Sequence, residues 1–560
     1  MSSPTSPAVR PTLPEGLLLH RRRLLHLAGG ASALALAARA GLSPVAAAAR
    51  SATPAATIDR SQVGGTLVVA PVDADTLDPA YSSQSSAETI FGLVFDTLIG
   101  YDKDLGFEPL LAESMAVSED GLKATFTIRQ GLTFHDGSPV DAEAVKFTFD
   151  RNIKAYYVDI IEAVEAPDAS TVVVTLLAPS AVFFADLTSP FFGIVSKKAA
   201  EEAGDAFGDR PVGSGPFVFQ DWTVGEKFIL SRNETYQYFG SLAANTGAPY
   251  LDGVELRTIA EAQTLVASLE AGEVQLSTAE GSEFDDLQGN PDYQFFTAQR
   301  ATGITVLNFS MTLDGDKPVF KEIFQDVRVR QAIGHALNAQ EIIDGLLGGH
   351  ATPSLLPLPV GAMGWSEELE QEIGYPYDPE KAAQLLDEAG WTLDGAVRKK
   401  DGKPFQISLW TNSSTTRQRA SELLQNQLAQ VGITVTIEAI ELGSYLARLA
   451  DGDADTYLIQ FGGTDPDLLD GMTQADAASG FRNYQAYNPA FATLLAQGRI
   501  TLDVAKRTDI YVEAQKLLMA DPLVIPLLSF FGPTVARSEV KGLAFTPFGG
   551  MLLQDVSIEQ

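Results

Sequence analysis

Two hydrophobic periods run through this chain, and the stretch from Leu111 to Arg151, LAESMAVSEDGLKATFTIRQGLTFHDGSPVDAEAVKFTFDR, carries both. One alternating run ends at Val117 and a second holds Ala124, Phe126 and Ile128, with Asp120-Gly121 between them. A period of two on either side of Asp-Gly predicts a hairpin closed by a tight turn. His135-Asp136-Gly137 predicts a second turn, and then the period changes. Asp141 stands where a helix N-cap belongs, Glu143 falls in the first turn, where the helix dipole favours an anion, and Val145 and Phe149 lie four apart on the side to be buried.

The same grammar recurs along the chain. Thr66 to Ala70 predicts a short buried strand, after which Leu77-Asp78-Pro79 turns the chain toward a helix around Ala87 to Phe95. Pro211-Val212-Gly213-Ser214-Gly215-Pro216-Phe217 reads as a backbone-permissive turn feeding a hairpin of Phe217 to Trp222 and Phe228 to Leu230. It lacks the lysine-serine/threonine ending and helix start of a phosphate-binding loop. Downstream, Val329, Ala332, Ile333, Ala336 and Leu337 form a helical stripe behind Asp326 as cap, and Asn338 with Glu341 outlines a new cap. Asp378-Pro379-Glu380 opens another helix that buries Ala382, Leu385, Leu386 and Ala389 and stops at Gly390. A strand Gln406 to Trp410, a helix from about Thr416 to Gln430 and a strand Ile433 to Ala439 make a unit of the α/β kind. No fixed-period repeat is visible.

Length and charge narrow the picture. At 560 residues the chain has room for two to four domains. His20-Arg21-Arg22-Arg23-Leu24-Leu25, the apolar run Leu27 to Ala38 and the small residues around Pro44 to Ala49 have signal-peptide anatomy, so residues 1–48 are expected to be removed on export. The run is broken by Arg39 and Gly41, short of the roughly 20 residues that a membrane span needs. Arginines before two leucines resemble the twin-arginine signal, with a general secretory signal as the alternative. Residues 49–61 read as a flexible leader. There is no cysteine, hence no disulfide, no thiolate metal site and no lipid-anchoring cysteine. Loss of residues 1–48, with five arginines and one glutamate, deepens the formal charge from −33 to −37. That charge opposes binding to nucleic acid or anionic lipid; it suits a solubilising surface and is compatible with a cationic ligand.

Chemistry is thinly supplied. Past the signal only His135, His335 and His350 remain, and no H-E-x-x-H, G-x-S-x-G or nucleotide-binding glycine fingerprint occurs. His135-Asp136 is expected to stabilise a turn rather than hold a metal. No catalytic residue, no metal site and no cofactor is expected. The region with most to offer a ligand is Gln460 to Asp467, because a strand, Thr456 to Ile459, there opens into glycines, where α/β folds place ligands.

The Leu111 to Arg151 segment closely resembles the signature of the family 5 extracytoplasmic solute-binding proteins, the dipeptide/oligopeptide type that serves ATP-driven importers. GGTLVVAPVDADTLDPAYSS, Phe95-Asp96-Thr97-Leu98, Val212-Gly213-Ser214-Gly215-Pro216-Phe217 and Arg232-Asn233 before Tyr236 resemble other family segments in the same order. The resemblance implies an α/β fold, a two-lobed periplasmic-binding-protein clamshell of type II, cluster C, with an extra subdomain on the first lobe. Lobe I would comprise 62–96, 212–300 and 528–560, the appended subdomain 97–211 and lobe II 301–527, with the hinge near 300 and 528. It further implies capture of a peptide or peptide-like solute in the periplasm by a soluble monomer without a lipid anchor, and delivery to permease subunits of an ABC importer in the inner membrane. Other members take metal chelates, haem, opines or sugars, so a non-peptide solute is the alternative; an exported hydrolase or metal-dependent enzyme is an alternative of another class. In peptide-binding relatives the region around Phe461 holds an aspartate for the ligand's amine. Here Thr464 stands at that place in a shorter loop, so Asp465 would take over the amine or the ligand has none. Trp410, Phe461, Gly462, Thr464, Asp465 and Asp467 are the expected ligand-binding residues, with core packing as the competing role for Trp410 and Phe461. After Trp410 the loop that carries a carboxylate-binding arginine in dipeptide binders is short, and Arg417 and Arg419 fall on the next helix.

Overall fold

The computed structural model describes residues 64–559 except 83, 156–159, 280–281, 298–299, 316, 450–452, 464, 474–482 and 548. The signal and leader expected at 1–48 and 49–61, and Thr464, lie outside the described residues.

Two mixed sheets organise the molecule. In the first, Thr66–Ala70 lies between Gly253–Arg257 and Leu276–Thr278, parallel to both. The hairpin Phe217–Thr223 and Lys227–Arg232 extends one edge, and Thr534–Arg537 with Tyr293–Phe296 extends the other, all antiparallel. In the second, Gln406–Asn412 is parallel to Thr434–Ile440 and Thr456–Gly462, and Gly303–Phe309, Val524–Phe530 and Ala351–Pro353 complete it antiparallel. The chain passes from the first sheet to the second between Phe296 and Gly303 and returns between Phe530 and Thr534. Gly303 pairs with Phe530, so the two crossings run side by side.

A third, antiparallel sheet takes Ala112–Val117, Lys123–Ile128, Thr171–Leu176 and Ile161–Glu165 in that order. Its first two strands are the expected hairpin, with Gly121 at φ 70° in the turn, a conformation only glycine takes without strain. Helix Ala142–Lys154 covers it, capped by the Asp141 carboxylate, which accepts from the Ala144 amide at 2.9 Å, and it buries Val145 and Phe149. The caps at Asp326, Asn338 and Asp378 form as their sequences require. Each of the three sheets has its own apolar core. No helix among the described residues is long and apolar enough to cross a membrane.

Candidate ligand-binding cleft

A cavity of about 680 Å³ lies between the two large sheets, with Thr302, Gly462, Asp465 and Asp467 on the second-sheet side and Asp96, Tyr236 and Gln554 on the first. The short hairpin Ile99–Tyr101 and Phe107–Pro109 adds Tyr101 and Glu108 to the lining, and the end of helix Ala181–Asp186 adds Asp186.

Asp96 follows helix Glu88–Val94, and a glycine loop sets its place. A Cβ on Gly213 would stand 2.0 Å from the Val94 carbonyl oxygen, and one on Gly215 would stand 2.7 Å from the Val94 carbonyl carbon. Neither glycine has a positive φ, so what the loop needs from them is the missing side chain. The loop thereby lies flat on the helix end, the Gly215 amide bonds Val94 at 3.0 Å, and the Ser214 hydroxyl donates to Asp96 at 2.8 Å. The Tyr236 hydroxyl donates to the other Asp96 oxygen at 3.0 Å and pairs with the Gln554 side chain. Burial pushes the Asp96 carboxyl up to about 6, against the pull of these two hydrogen bonds. His135 locks the same loop from behind, its Nε2 bonding the Gly215 carbonyl at 3.0 Å and its own amide bonding Gly213 at 2.8 Å. Burial lowers its pKa, and a hydrogen bond that steadies a turn is what the sequence led us to expect of it.

The opposite wall is the Asp465-Pro466-Asp467 group, which leads into helix Leu468–Thr473. Arg507 donates to both Asp465 oxygens at 2.7 Å, and Arg499 to both Asp467 oxygens at 2.8 and 3.0 Å, with the Tyr511 hydroxyl adding 3.0 Å. Burial nevertheless raises Asp467 to about 6. Asp186 reaches this wall because its helix packs against Pro489–Ile500. Burial, then the charges of Asp465 and Asp467, push its carboxyl up to about 7.

Of the residues expected from sequence, Gly462, Asp465 and Asp467 line the cavity. Asp465 is already engaged by Arg507, although its carboxylate retains lone pairs for a ligand. Trp410 sits in a separate apolar cluster with Ile440, Tyr445 and Tyr457 under the Arg448 guanidinium, and Phe461 packs on the second sheet's core. Strand Thr456–Gly462 runs past the expected Ile459, which turns Phe461 into a strand residue paired with Ile304. Arg417 lies on helix Thr415–Gln430, half-buried, and donates to Gln460 at 2.7 Å. Sequence reasoning did not select Asp96, Asp186, Tyr101, Tyr236 or Gln554 for the site. Asp96 and Tyr236 stood inside recognised segments, but nothing local marks Asp186 or Gln554.

Residues 106–483 match the family model for bacterial extracellular solute-binding proteins, family 5 Middle. The glutathione-binding protein GsiB of Pectobacterium atrosepticum is 30% identical over 467 residues, which cover 80% of this chain and 85% of that one. The periplasmic binding protein DppA of Helicobacter pylori, associated with an ABC transporter and solved with the peptide STSA, superposes with a TM-score of 0.67 at 28% identity, covering 90% of this chain and 99% of that one. NikA of Brucella suis, solved with Fe(III)-EDTA, shares the fold at a TM-score of 0.76 and 24% identity, covering 88% of this chain and 100% of that one. The two large sheets are thus the lobes of a type II binding-protein clamshell, and the chain belongs to family 5 of the bacterial extracellular solute-binding proteins.

Proposed function

We propose that this protein captures a peptide or peptide-like solute between its lobes and hands it to the permease of an ATP-driven importer, a different polypeptide. The observation that carries the reading is a cavity walled by both lobes, since only a ligand that touches both stabilises the closed state over the open one. Its volume of about 680 Å³ suits a small solute. The names of GsiB and DppA support the peptide class. In this reading the protein acts in the periplasm as a soluble monomer with no lipid anchor, does no catalysis and binds no nucleic acid. The first lobe is 62–96, 212–300 and 528–560, with 97–211 appended to it, and the second is 301–527.

The test is to purify the protein without dialysis, denature it and identify any released small molecule by mass spectrometry, with refolded protein as control. A stoichiometric peptide is expected. A stoichiometric compound of another class would end the peptide assignment and keep the transport one.

A further inference from the structure

We propose that His350 and Asp285 form a proton-sensitive clasp between the lobes, one that holds them in the arrangement seen here more firmly at acid than at alkaline pH. The inference rests on the two large sheets being lobes that turn about the paired crossings at Gly303 and Phe530.

The contact joins the lobes without any solute. Asp285 belongs to the single 3-10 turn Ser282–Leu287, between strands Leu276–Thr278 and Tyr293–Phe296 of the first sheet. His350 follows helix Ala339–Leu346 and precedes Ala351–Pro353, the edge strand of the second. Its Nε2 lies 3.2 Å from the Asp285 carboxylate and 3.4 Å from the Gln288 amide nitrogen. The imidazole is 12% exposed and the carboxylate 44%, so water screens the pair only in part. Gly348 permits the approach: its φ is 56°, and a Cβ there would stand 2.7 Å from an Asp285 oxygen. Gly348, Gly349 and His350 are all outside the cavity lining.

Nε2 stands between an acceptor and a donor, and one proton decides which it serves. A protonated ring gives Nε2–H to Asp285, a charge-assisted bond between the lobes. A neutral ring with its proton on Nδ1 accepts from the Gln288 amide instead and turns a lone pair toward the carboxylate. An imidazole crosses between these states at about pH 5 to 8. The arrangement that binds the proton more tightly gains as pH falls. Asp285 is the acid that meets the ring, and Glu283 and Asp286 add negative charge on the same turn. On the ring's own side, Glu341 and Asp344 accept from Gln427 and Gln340 at 2.8 and 2.7 Å. The neighbouring strands Ala351–Pro353 and Val524–Phe530 carry no titratable side chain.

Because the chain has no cysteine, Gln263→Cys and Asn426→Cys, at exposed positions of helices Ala262–Glu270 and Thr415–Gln430, place one spin label on each lobe of the full-length protein. Pulsed double electron–electron resonance then reads the distance between lobes at pH 5.5 and 8.0, in protein refolded from denaturant to remove any solute. The ratio of molecules at the distance of this structure to all others is expected to rise about two- to threefold from pH 8.0 to pH 5.5 beyond the rise in His350→Gln, the effect of a half-exposed ion pair. Acid also neutralises carboxylates across the cleft, but equally in wild type and variant, so the difference between them is the reading. Asp285→Asn is expected to abolish the same difference and supplies it should His350→Gln fail to fold. An equal pH response in wild type and both variants overturns the clasp, as does an excess response of the opposite sign. A distance that differs between protein as purified and protein stripped of solute would then keep the two-lobe binding role. One and the same distance in every sample would overturn that role along with the clasp.

Discussion

Asp186 shows how much one carboxyl group can report. It faces Asp465 and Asp467, with Arg507 and Arg499 behind them and Tyr101 beside it, and burial, then those two charges, push its carboxyl up to about 7. Its folded value is raised, so on a rising pH the unfolded chain loses this proton first. The group's contribution to stability is full below the ordinary aspartate value of about 4 and is lost as pH rises through about 7. Ligand-free protein should accordingly melt at a higher temperature at pH 5 than at pH 7.5. The chain's charge of −33 pushes in the same direction, so the informative quantity is the difference between wild type and Asp186→Asn, whose pH dependence should be shallower. Equal slopes by differential scanning calorimetry would remove Asp186 as a titrating group. Asp465 and Asp467 were legible in the sequence because they follow a strand into glycines; Asp186, at the end of an ordinary helix, was not.

Among elements, the clearest finding is that two segments read separately are one joint. The Leu77-Asp78-Pro79 turn and the last residue of the signature run, Arg151, meet in an ion pair whose side chains are 8% and 14% exposed, and the Arg151 guanidinium also lies 5.1 Å from the Phe207 ring. This pair fastens the appended sheet's helix to the first lobe. Arg151→Met leaves Asp78 buried without its counter-charge and should lower stability by about 3 kcal/mol in urea unfolding. A loss under about 1 kcal/mol, the range of an exposed pair, would show that the joint is held by other contacts. The helices, their caps and the hairpins were readable beforehand because each depends on residues a few positions apart. The end of strand Thr456–Gly462 was misplaced, since its last three residues are held by Gly303, Ile304 and Thr305 rather than by anything local.

At the scale of the molecule, the two crossings run side by side at Gly303 and Phe530, and we propose them as the axis for opening. If opening occurs about them, solution scattering should give a smaller radius of gyration for solute-loaded than for solute-stripped protein. Moving such an equilibrium from 1:99 to 99:1 takes about 5.5 kcal/mol of differential affinity, within reach of a few charge-assisted hydrogen bonds shared between the lobes. Asp186→Asn relieves carboxylate repulsion across the cleft, so the stripped variant should be more compact than stripped wild type. An unchanged radius in all three would argue against ligand-driven closure.

The sequence by itself determined the order of strands and helices, their caps and turns, the family resemblance, and the absence of cysteine chemistry, because these follow from periodicity, composition and contacts between near neighbours. It also pointed to Gly462, Asp465 and Asp467. Only the tertiary structure decided what else lines the cavity. Asp96, Asp186, Asp467 and Gln554 come to one cavity through the order of strands in two sheets and the packing of helix Ala181–Asp186 on Pro489–Ile500. Trp410 lies outside this cavity's lining for the same reason, since which face of a strand meets the cleft is set by what packs on its other side. A carboxylate's pKa, likewise, depends on burial and on charges brought from hundreds of residues away, and no local pattern encodes either.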